Sequence, residues 1–379
     1  MSITTANIQM VDLTSQYHRL QAEIDQAIAN VLHSGQYING KDVHTFADNL
    51  SKYTGAQFAI PCANGTDALQ IALMSLHLQT GDEVIVPAFT YTATAEAIAL
   101  LNLKPVPVDV DWQTFNIDVA KIEAAISPRT KAIIPVHLFG QTADMEPIMQ
   151  LAGKYHLAVI EDNAQSLGSI YTFSDGTKKH AGNIGDIGIL SFFPTKNLGC
   201  YGDGGALLTN NETLANRLKM IASHGQAQKY YHEIIGCNSR LDTIQAAVLN
   251  VKLRYLDEFI AARQTAASSC LSKLESIYGM EMPFCISSST HTYNQFTIKI
   301  SNGKRDELRQ YLKDKGIPSM IYYPLPLHKQ PAYRDIVRIS GDLSVSAKLC
   351  QSVLSLPMHT ELSEEKIQFI TEKIIQYGK

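Results

Sequence analysis

The chain has 379 residues, of which 45% are hydrophobic, and can therefore form two or three domains with sizeable cores. Its formal net charge of −4 and pI near 6.3 argue against binding nucleic acid or an anionic membrane through bulk charge. We expect neither partner. A local basic pocket for a phosphorylated small molecule stays compatible with this composition.

The six cysteines are scattered, without a CxxC pair or zinc-like spacing. We therefore expect reduced thiols and no metal site. The first ten residues show neither the basic region nor the apolar stretch of a signal peptide. No apolar run approaches the roughly 20 residues of a membrane helix. These features predict a cytoplasmic protein.

Two amphipathic helices are predicted first, because apolar residues recur at helical spacing over 17–33 and 43–53, before Gly35 and Gly55. Short apolar runs then alternate with helical segments. Strands are predicted at 58–61, 84–86, 105–108, 132–136, 158–160, 187–192 and 206–209, and helices at 67–78, 92–101, 119–125 and 145–156. Such alternation predicts the α/β class, with a mostly parallel seven-stranded sheet built from right-handed crossovers.

The pattern changes after about residue 240. Residues 241–274 contain neither proline nor glycine and keep helical periodicity, which predicts one or two long helices leaving the main domain. The remainder mixes a strand at 294–300 with helices at 305–315, 344–354 and 363–377. We therefore predict N-terminal helices and a large α/β domain over 1–240. A connecting helix and a small α+β domain are predicted over 241–379.

Two acids, Glu161 and Asp162, end the fifth predicted strand in the run AVIED. Ligands of doubly wound sheets bind at the carboxyl ends of strands, so these acids are placed for function. Side chains alternate along a strand, and only one of the two is expected to face a given ligand. An isolated pair of this kind more often caps the next turn or helix.

A candidate phosphate site lies in CANGTDAL (62–69), where a strand is predicted to run through Asn64, Gly65 and Thr66 into a helix at about Asp67. Glycine permits close approach of the backbone, and the first helical amides attract anions. The alternative is an ordinary turn with Thr66 or Asp67 as N-cap. No GxxxxGK[ST] occurs and GDGG does not continue as GxGxxG, which disfavours nucleotide-triphosphate hydrolysis and NAD binding.

A single lysine, Lys196, lies among glycines in SFFPTKNLGCYGDGGA (191–206). Such a lysine is usually solvated, but this one follows an apolar strand, and desolvation lowers the proton affinity of an amine. Pyridoxal 5′-phosphate needs an amine for a Schiff base, a carboxylate for its pyridine nitrogen and a phosphate site. Lys196, Asp162, the 64–67 turn and Ser191 are predicted to fill these roles.

These segments resemble the DegT/DnrJ/EryC1/StrS sugar aminotransferases in EDNAQSLG, SFFPTKNLGCYGDGGA, CANGTDAL and NSRLDTIQAAVL. The resemblance extends from VDLTSQY near the start to LSLPMHTEL near the end. It implies the pyridoxal-phosphate fold-type I, similar to aspartate aminotransferase. It also implies amination of a keto group on a nucleotide-linked sugar, with glutamate as donor, in a homodimer with shared active sites.

The resemblance further implies roles for individual residues. Lys196 binds the cofactor and moves protons, Asp162 pairs with the pyridine nitrogen, and Gln165 contacts the ring hydroxyl. The phosphate ligands it implies are Gly65, Thr66, Asp67, Ser191 and, from the neighbouring subunit, Asn238. Phe89 is expected to cover the ring face. The alternatives are a turn residue for Gln165, a core aromatic for Phe89 and an N-cap for Asn238.

Within the family, SHGQAQKYYHEIIGCNSRLDT and YYPLPLHKQPAY resemble UDP-2-acetamido-2-deoxy-3-oxo-glucuronate aminotransferases, which serve surface polysaccharide (O-antigen) synthesis. Phe193 stands where relatives that aminate carbon 4 carry histidine, which favours carbon 3. A uronate carboxylate suits a guanidinium, so Arg240 is the first candidate, with a helix-start salt bridge as the alternative. The other predicted sugar-site residues are Tyr322 (in place of an expected histidine), Tyr323, His328 and, more weakly, Lys329.

Three alternatives remain open. The same fold could aminate a dTDP-3-keto-6-deoxy sugar or a 4-keto sugar. A sugar dehydratase of this fold would carry histidine in place of the lysine, so Lys196 argues against that activity. A binding or regulatory protein could keep the fold without catalysis.

Overall fold

The computed structural model describes residues 8–274 and 277–378. Residues 1–7, 275–276 and 379 lie outside these ranges. Most of the signal-peptide prediction concerns the first of these segments. Helices α1 (Leu13–Ser34) and α2 (Lys41–Thr54) open the described chain. Both end on a left-handed glycine, Gly35 with φ 67° and Gly55 with φ 73°, as predicted.

The large sheet has seven strands, and two further short strands form a hairpin beside it. The strands up to this point are β1 (Phe58–Cys62), β2 (Glu83–Pro87), β3 (Lys104–Val108), β4 (Thr130–Ile133), β5 (Ala158–Asp162), the hairpin β6 (Ile170–Thr172) and β7 (Lys178–His180), β8 (Ile187–Ser191) and β9 (Gly205–Thr209). The sheet order is β1-β9-β8-β5-β4-β2-β3. Only β9 runs antiparallel to its neighbours, which confirms the mostly parallel seven-stranded sheet.

Helices cover both faces of this sheet. They are α3 (Gly65–Ser75), α4 (Ala93–Leu100), α5 (Val119–Ala125), α6 (Met145–Tyr155) and α7 (Glu212–Ala222). On β2, Val84 and Val86 pack into the cluster that contains α3, α4 and α7, whereas Ile85 packs with α5 and α6. The strand is therefore buried on both sides, as parallel strands usually are, and β5 lies at the centre of the sheet.

The remaining chain begins with the exposed hairpin β10 (Gln226–Gln228) and β11 (Tyr231–His232), followed by α8 (Thr243–Leu253) and α9 (Leu256–Leu274). A small antiparallel sheet of β12 (Met280–Glu281), β13 (Phe296–Ile300) and β14 (Val353–Leu356) packs with α10 (Arg305–Asp314), α11 (Ser344–Ser352) and α12 (Glu364–Tyr377). The helix predicted to reach residue 354 ends at Ser352, because the next four residues pair with β13 as β14.

The first helix after residue 240 packs on the large domain. Ala246 and Leu249 of α8 lie in the same hydrophobic cluster as Phe46 and Leu50 of α2, whereas the cluster of the small domain begins at Ala266 of α9. The division between residues 240 and 241 stays a prediction, and these contacts favour a division within α9. None of the helices in the described ranges is long and apolar enough to cross a bilayer.

Candidate active site

Asp162 ends β5 at the centre of the sheet and is 6% exposed. Its Oδ2 accepts a hydrogen bond from the Thr94 hydroxyl at 2.9 Å, and its Oδ1 accepts one from the Ala164 amide at 3.2 Å. Burial raises the pKa of this carboxyl, while the two hydrogen bonds and the charge of Lys196 oppose the rise. Asp162 is therefore a buried carboxylate that keeps acceptor capacity and lies within the field of the lysine.

Glu161 points away from Asp162 and is completely buried. Its oxygens accept hydrogen bonds from His137 Nε2 at 2.8 Å and from the amides of Gly182, Ile184 and Gly185 at 2.9, 2.6 and 2.7 Å. Burial acts to raise its pKa, but these donors hold the pKa below its ordinary value. The two acids therefore point to opposite faces of the sheet, as predicted. The carboxylate of Glu161 is hydrogen-bonded within the fold and has a structural role.

The ring of His137 is fixed by the same arrangement. Its Nδ1 accepts the amide of Ala143 at 3.1 Å, so the proton resides on Nε2 and is donated to Glu161. Its backbone amide donates to the carbonyl of Asp162 at 2.9 Å. This pair therefore anchors the strand end that carries Asp162.

Lys196 lies in the loop that follows β8, and its amide donates to the Phe193 carbonyl at 2.9 Å. The next residue, Asn197, holds the loop by donating to the Leu167 carbonyl at 3.0 Å and the Thr292 hydroxyl at 2.9 Å. Burial lowers the pKa of Lys196 to about 8, against the opposing charge of Asp162. A substantial fraction of this amine is therefore neutral, and nucleophilic, near physiological pH.

A second buried lysine, Lys252, donates a hydrogen bond to the same loop. The chain turns so tightly at Gly199 that a Cβ there would lie 2.3 Å from the Pro194 carbonyl oxygen. Lys252 of α8, 1% exposed, donates to the Gly199 carbonyl at 2.6 Å and lies 5.1 Å from the centre of the Tyr201 ring. Sequence analysis missed this residue, although its spacing from Leu249 places it on the buried side of the predicted helix.

The candidate phosphate site begins at α3. The helix starts at Gly65 rather than at Asp67, and its N-cap is Asn64, whose Oδ1 accepts the Asp67 amide at 2.8 Å. The predicted start and the alternative caps Thr66 and Asp67 were therefore wrong. The asparagine reaches the third helical amide because it precedes the helix in an extended conformation.

Two glycines bring the start of α3 against the ends of β8 and β9. A Cβ at Gly65 would lie 2.8 Å from Ser191 Cβ, and one at Gly205 would lie 2.5 Å from the carbonyl carbon of Asn64. The Ser191 hydroxyl is thereby placed beside the helix N-terminus. Within the described residues the Gly65 and Thr66 amides donate to no acceptor. The cradle suits a phosphate group.

Gln165 is oriented by two contacts from other segments. Its Oε1 accepts the Phe139 amide at 3.0 Å, and its Nε2 donates to the Tyr323 hydroxyl at 3.0 Å. The second hydrogen on Nε2 stays available for a ligand. Burial raises the pKa of Tyr323, which keeps the phenol protonated. The side chain thus makes specific tertiary contacts, unlike that of a simple turn residue.

Phe89 and Tyr91 follow β2 and differ in exposure. Phe89 is 1% exposed, and its ring centre lies 6.0 to 6.4 Å from those of Phe115, Phe139 and Tyr323, as in a core aromatic. Tyr91 is 56% exposed and lies 6.0 Å from Tyr323. Sequence analysis missed Tyr91, because the two aromatics stand two residues apart in a loop where strand alternation does not apply.

Asn238 and Arg240 lie before α8. Asp242 caps this helix, so the alternative role of Asn238 as its N-cap was wrong. Asn238 is exposed, and Arg240 is half-buried without a carboxylate in salt-bridge range among the described residues. Arg240 lines a groove of about 620 Å³ with His44 and Lys219. The cluster around Asp162 and Lys196 does not contribute to that groove.

The remaining predicted residues surround the aromatic cluster or lie near it. Phe193 is 50% exposed, and the ring centre of Tyr322 lies 6.0 Å from that of Tyr323. His328 belongs to a short 3₁₀ helix, Leu327–Lys329, whose first amide donates to the Ala88 carbonyl at 2.9 Å. Burial, followed by the charge of Lys329, lowers the pKa of His328, so this imidazole is neutral at physiological pH.

A model of the DegT/DnrJ/EryC1/StrS aminotransferase family matches residues 18–375. The chain belongs to this family. It is 47% identical to a UDP-2-acetamido-2-deoxy-3-oxo-D-glucuronate aminotransferase of Pseudomonas aeruginosa, covering 96% of this chain and 98% of the relative. It is 44% identical to a protein of Geobacillus stearothermophilus named pleiotropic regulatory protein, with 98% of each chain covered.

Solved structures give the same result. A family member from Brucella abortus is 41% identical, covers 98% of this chain and 100% of its own, and superposes with a TM-score of 0.93. This likeness confirms the predicted fold class. Other matched relatives bear the names of dTDP-sugar and GDP-sugar enzymes.

The cofactor of this aminotransferase is pyridoxal 5′-phosphate, which family members carry in that form or as pyridoxamine phosphate. The residues of this chain fit it. Lys196 supplies an amine of lowered pKa, and Asp162 supplies a buried carboxylate. The cradle between Gly65 and Ser191 is closed to any side chain at position 65 and leaves backbone amides free for a phosphate.

Proposed function

We propose that this enzyme transfers the amino group of glutamate to a nucleotide-linked 3-keto sugar, and that the sugar is UDP-2-acetamido-2-deoxy-3-oxo-D-glucuronate. The observation that carries the choice of sugar is the 47% identity, along almost the whole chain, to the Pseudomonas aeruginosa enzyme of that name. We further propose that the product enters surface polysaccharide (O-antigen) synthesis and that the enzyme acts in the cytoplasm.

The bound cofactor supplies an aldehyde and an electron sink. Asp162, facing the site, would hold a proton on the pyridine nitrogen. The start of α3 and the Ser191 hydroxyl bind the phosphate, and the free hydrogen on Gln165 Nε2 is available to the ring hydroxyl. Lys196 Nζ, with its pKa near 8, would take the proton from the amine-bearing carbon of glutamate and deliver it to the aldehyde carbon of the cofactor, and would move a proton in the opposite direction when the keto sugar is aminated.

Exposed aromatics would contact both the cofactor ring and the sugar. Phe193 lies in the loop that carries Lys196 and is 50% exposed. Tyr91 lies beside Tyr323 and is 56% exposed. Both rings therefore have surface available to a ligand. We assign the cofactor ring face to Tyr91 in place of Phe89, whose ring is buried. Phe193 and Tyr322, with Tyr323 and His328, would border the sugar.

A second copy of the chain would complete the site. Tyr230 and Tyr231 of the hairpin β10–β11 are 78% and 68% exposed, and Asn238 a few residues later is also exposed. Large exposed aromatics of this kind mark association surfaces. We infer a homodimer in which Asn238 of one subunit reaches the phosphate of the other. Arg240, free of an ion pair in the described residues, would bind the uronate carboxylate.

The test is product analysis. The purified enzyme is incubated with glutamate and, separately, the UDP-linked 3-keto uronate, a dTDP-3-keto-6-deoxy sugar and a dTDP-4-keto sugar. We expect a 3-amino uronate as the main product. Arg240→Gln should raise KM for the uronate about tenfold or more and leave that for the dTDP sugars within about threefold, since a charge-assisted bond is worth about 1.5–3 kcal/mol. Turnover of a dTDP sugar without turnover of the uronate would refute the proposed sugar.

A further inference from the structure

Thr94 is the one side chain in the described residues that donates a hydrogen bond to Asp162. It is the second residue of α4, is 1% exposed, and lies 2.9 Å from Asp162 Oδ2. An ionised carboxylate can only accept, so the threonine hydroxyl donates its proton. The sequence analysis assigned this residue no role.

The Thr94 hydroxyl lies in the first turn of α4, where its own helix offers no carbonyl four residues earlier. A threonine in a helix commonly donates to the carbonyl four residues earlier, as Thr371 of α12 does to Ile367 at 2.9 Å. Thr94 instead bonds across to β5, a separation of 68 residues. Its hydroxyl therefore serves the carboxylate and not its own helix.

The position of α4 makes this contact possible. Ala93, Ala95 and Ala97 of α4 are buried in the same hydrophobic cluster as Val84 and Val86 of β2, so the helix is packed on the sheet. The hydroxyl of Thr92, two residues before Thr94, lies 2.6 Å from the Tyr333 hydroxyl. Both contacts hold the first turn of α4 against its neighbours, which fixes the point from which Thr94 reaches Asp162.

We propose that Thr94 is a positioning residue for the cofactor. Its hydroxyl occupies one lone pair of Asp162 Oδ2 and fixes the rotation of the carboxylate, while the Ala164 amide fixes Oδ1. The remaining lone pairs of the carboxylate would then be available to the pyridine nitrogen. The inference rests on the role given above to Asp162 and is independent of which sugar is aminated.

The experiment compares Thr94→Val, which removes the hydroxyl and keeps the shape, with Thr94→Ser, which keeps the hydroxyl. Pyridoxamine phosphate is the probe, because it is not attached to Lys196 and its affinity reports on non-covalent contacts. We expect the dissociation constant of Thr94→Val to rise about tenfold or more, as expected for loss of a hydrogen bond to a charged group. That of Thr94→Ser should stay within about threefold of the wild type.

Thr371→Val is the matched control. It also removes a buried threonine hydroxyl, so it should lower thermal stability without changing the affinity for pyridoxamine phosphate. If Thr94→Val does not fold, Thr94→Ala is compared with Thr94→Ser in the same way. Unchanged affinity in the variant without the hydroxyl, or an equal loss in Thr94→Ser, would overturn the proposal. A wrong sugar would leave both results intact.

Discussion

Glu161 and Asp162 are neighbours on β5, yet their surroundings are opposite. Glu161 receives four hydrogen bonds, one from His137 and three from backbone amides, and its pKa is held below the ordinary value. Asp162 receives two hydrogen bonds, and burial raises its pKa. The fold satisfies the first carboxylate completely and leaves the second with acceptor capacity beside Lys196.

The difference shows how a strand end can serve structure and chemistry at once. Because side chains alternate, one acid can bind the amides of 182–185 behind the sheet while the next faces the site. A buried carboxylate is tolerated when donors compensate for lost water. Where compensation is incomplete, as at Asp162, a bound ligand can supply the missing donor.

The largest expected effect is a loss of turnover on substitution of Lys196, which lies near Asp162. Lys196→Ala removes the amine that we propose to bind the cofactor and move the proton, so turnover should fall by at least about 10³-fold, the range for a general acid–base group. Steady-state transamination with glutamate measures it. Lys252→Ala, which removes the other buried lysine of this region, should act mainly on stability. A Lys196→Ala enzyme with near-normal turnover would contradict the mechanism.

The next effect concerns the structural acid. Glu161→Gln replaces an acceptor with an amide that must direct N–H toward a donor, either His137 or a backbone amide. Leaving such a buried donor without an acceptor costs about 1–3 kcal/mol. Denaturant unfolding of the apo-protein should show this loss. Glu123→Gln, which removes an exposed ion pair with Lys154, is the control and should change stability by less than about 1 kcal/mol.

An effect of similar size is expected at the phosphate cradle. Gly65→Ala places a Cβ 2.8 Å from Ser191 Cβ and should cost about 1–3 kcal/mol through overpacking, with weaker cofactor binding. Gly153→Ala of α6 is the matched control, since nothing lies within 4 Å of its Cβ position. It should leave binding unchanged and stabilise the helix by about 0.5–1 kcal/mol. Equal cofactor affinities in the two variants would exclude the cradle as the phosphate site.

The smallest expected effect is a shift in pH dependence. Because the folded-state pKa of Lys196 is near 8 rather than 10.5, the rate of pyridoxal-phosphate uptake by the apo-protein should rise with pH to a midpoint near 8. This lysine also makes the apo-protein more stable as pH rises from about 8 to 10.5, where the unfolded chain holds more protons. Asp162→Asn should move the uptake midpoint lower, whereas a midpoint above 10 would contradict the burial of the amine.

Much of the fold was predictable because burial on both sides of a parallel sheet produces short apolar runs. The strand ends carrying Asp162 and Ser191 followed from those runs and placed both residues at one edge of the sheet. The start of α3 was misplaced by two residues, because a side-chain cap from Asn64 depends on local conformation. The strand β14 was missed because its pairing with β13 joins distant residues.

The site was only partly predictable for a related reason. Lys196 could be recognised from its setting, and Gln165 only from the resemblance. Thr94 could not be identified, since its function comes from a contact with a residue 68 positions away. Phe89 and Tyr91 could be separated only by their exposure in the folded chain.

We propose that Asp162 binds the cofactor and that Glu161 stabilises the fold. This proposal is tested most directly by measuring the affinity for pyridoxamine phosphate and the free energy of unfolding of the apo-protein in Asp162→Asn and in Glu161→Gln. Asp162→Asn should weaken binding about 10- to 100-fold, as a charge-assisted bond is lost, and change stability by less than about 1 kcal/mol. Glu161→Gln should lose about 1–3 kcal/mol of stability and, while folded, bind within about threefold of the wild type. Wild-type affinity in Asp162→Asn, or equal loss of affinity in both folded variants, would contradict the account.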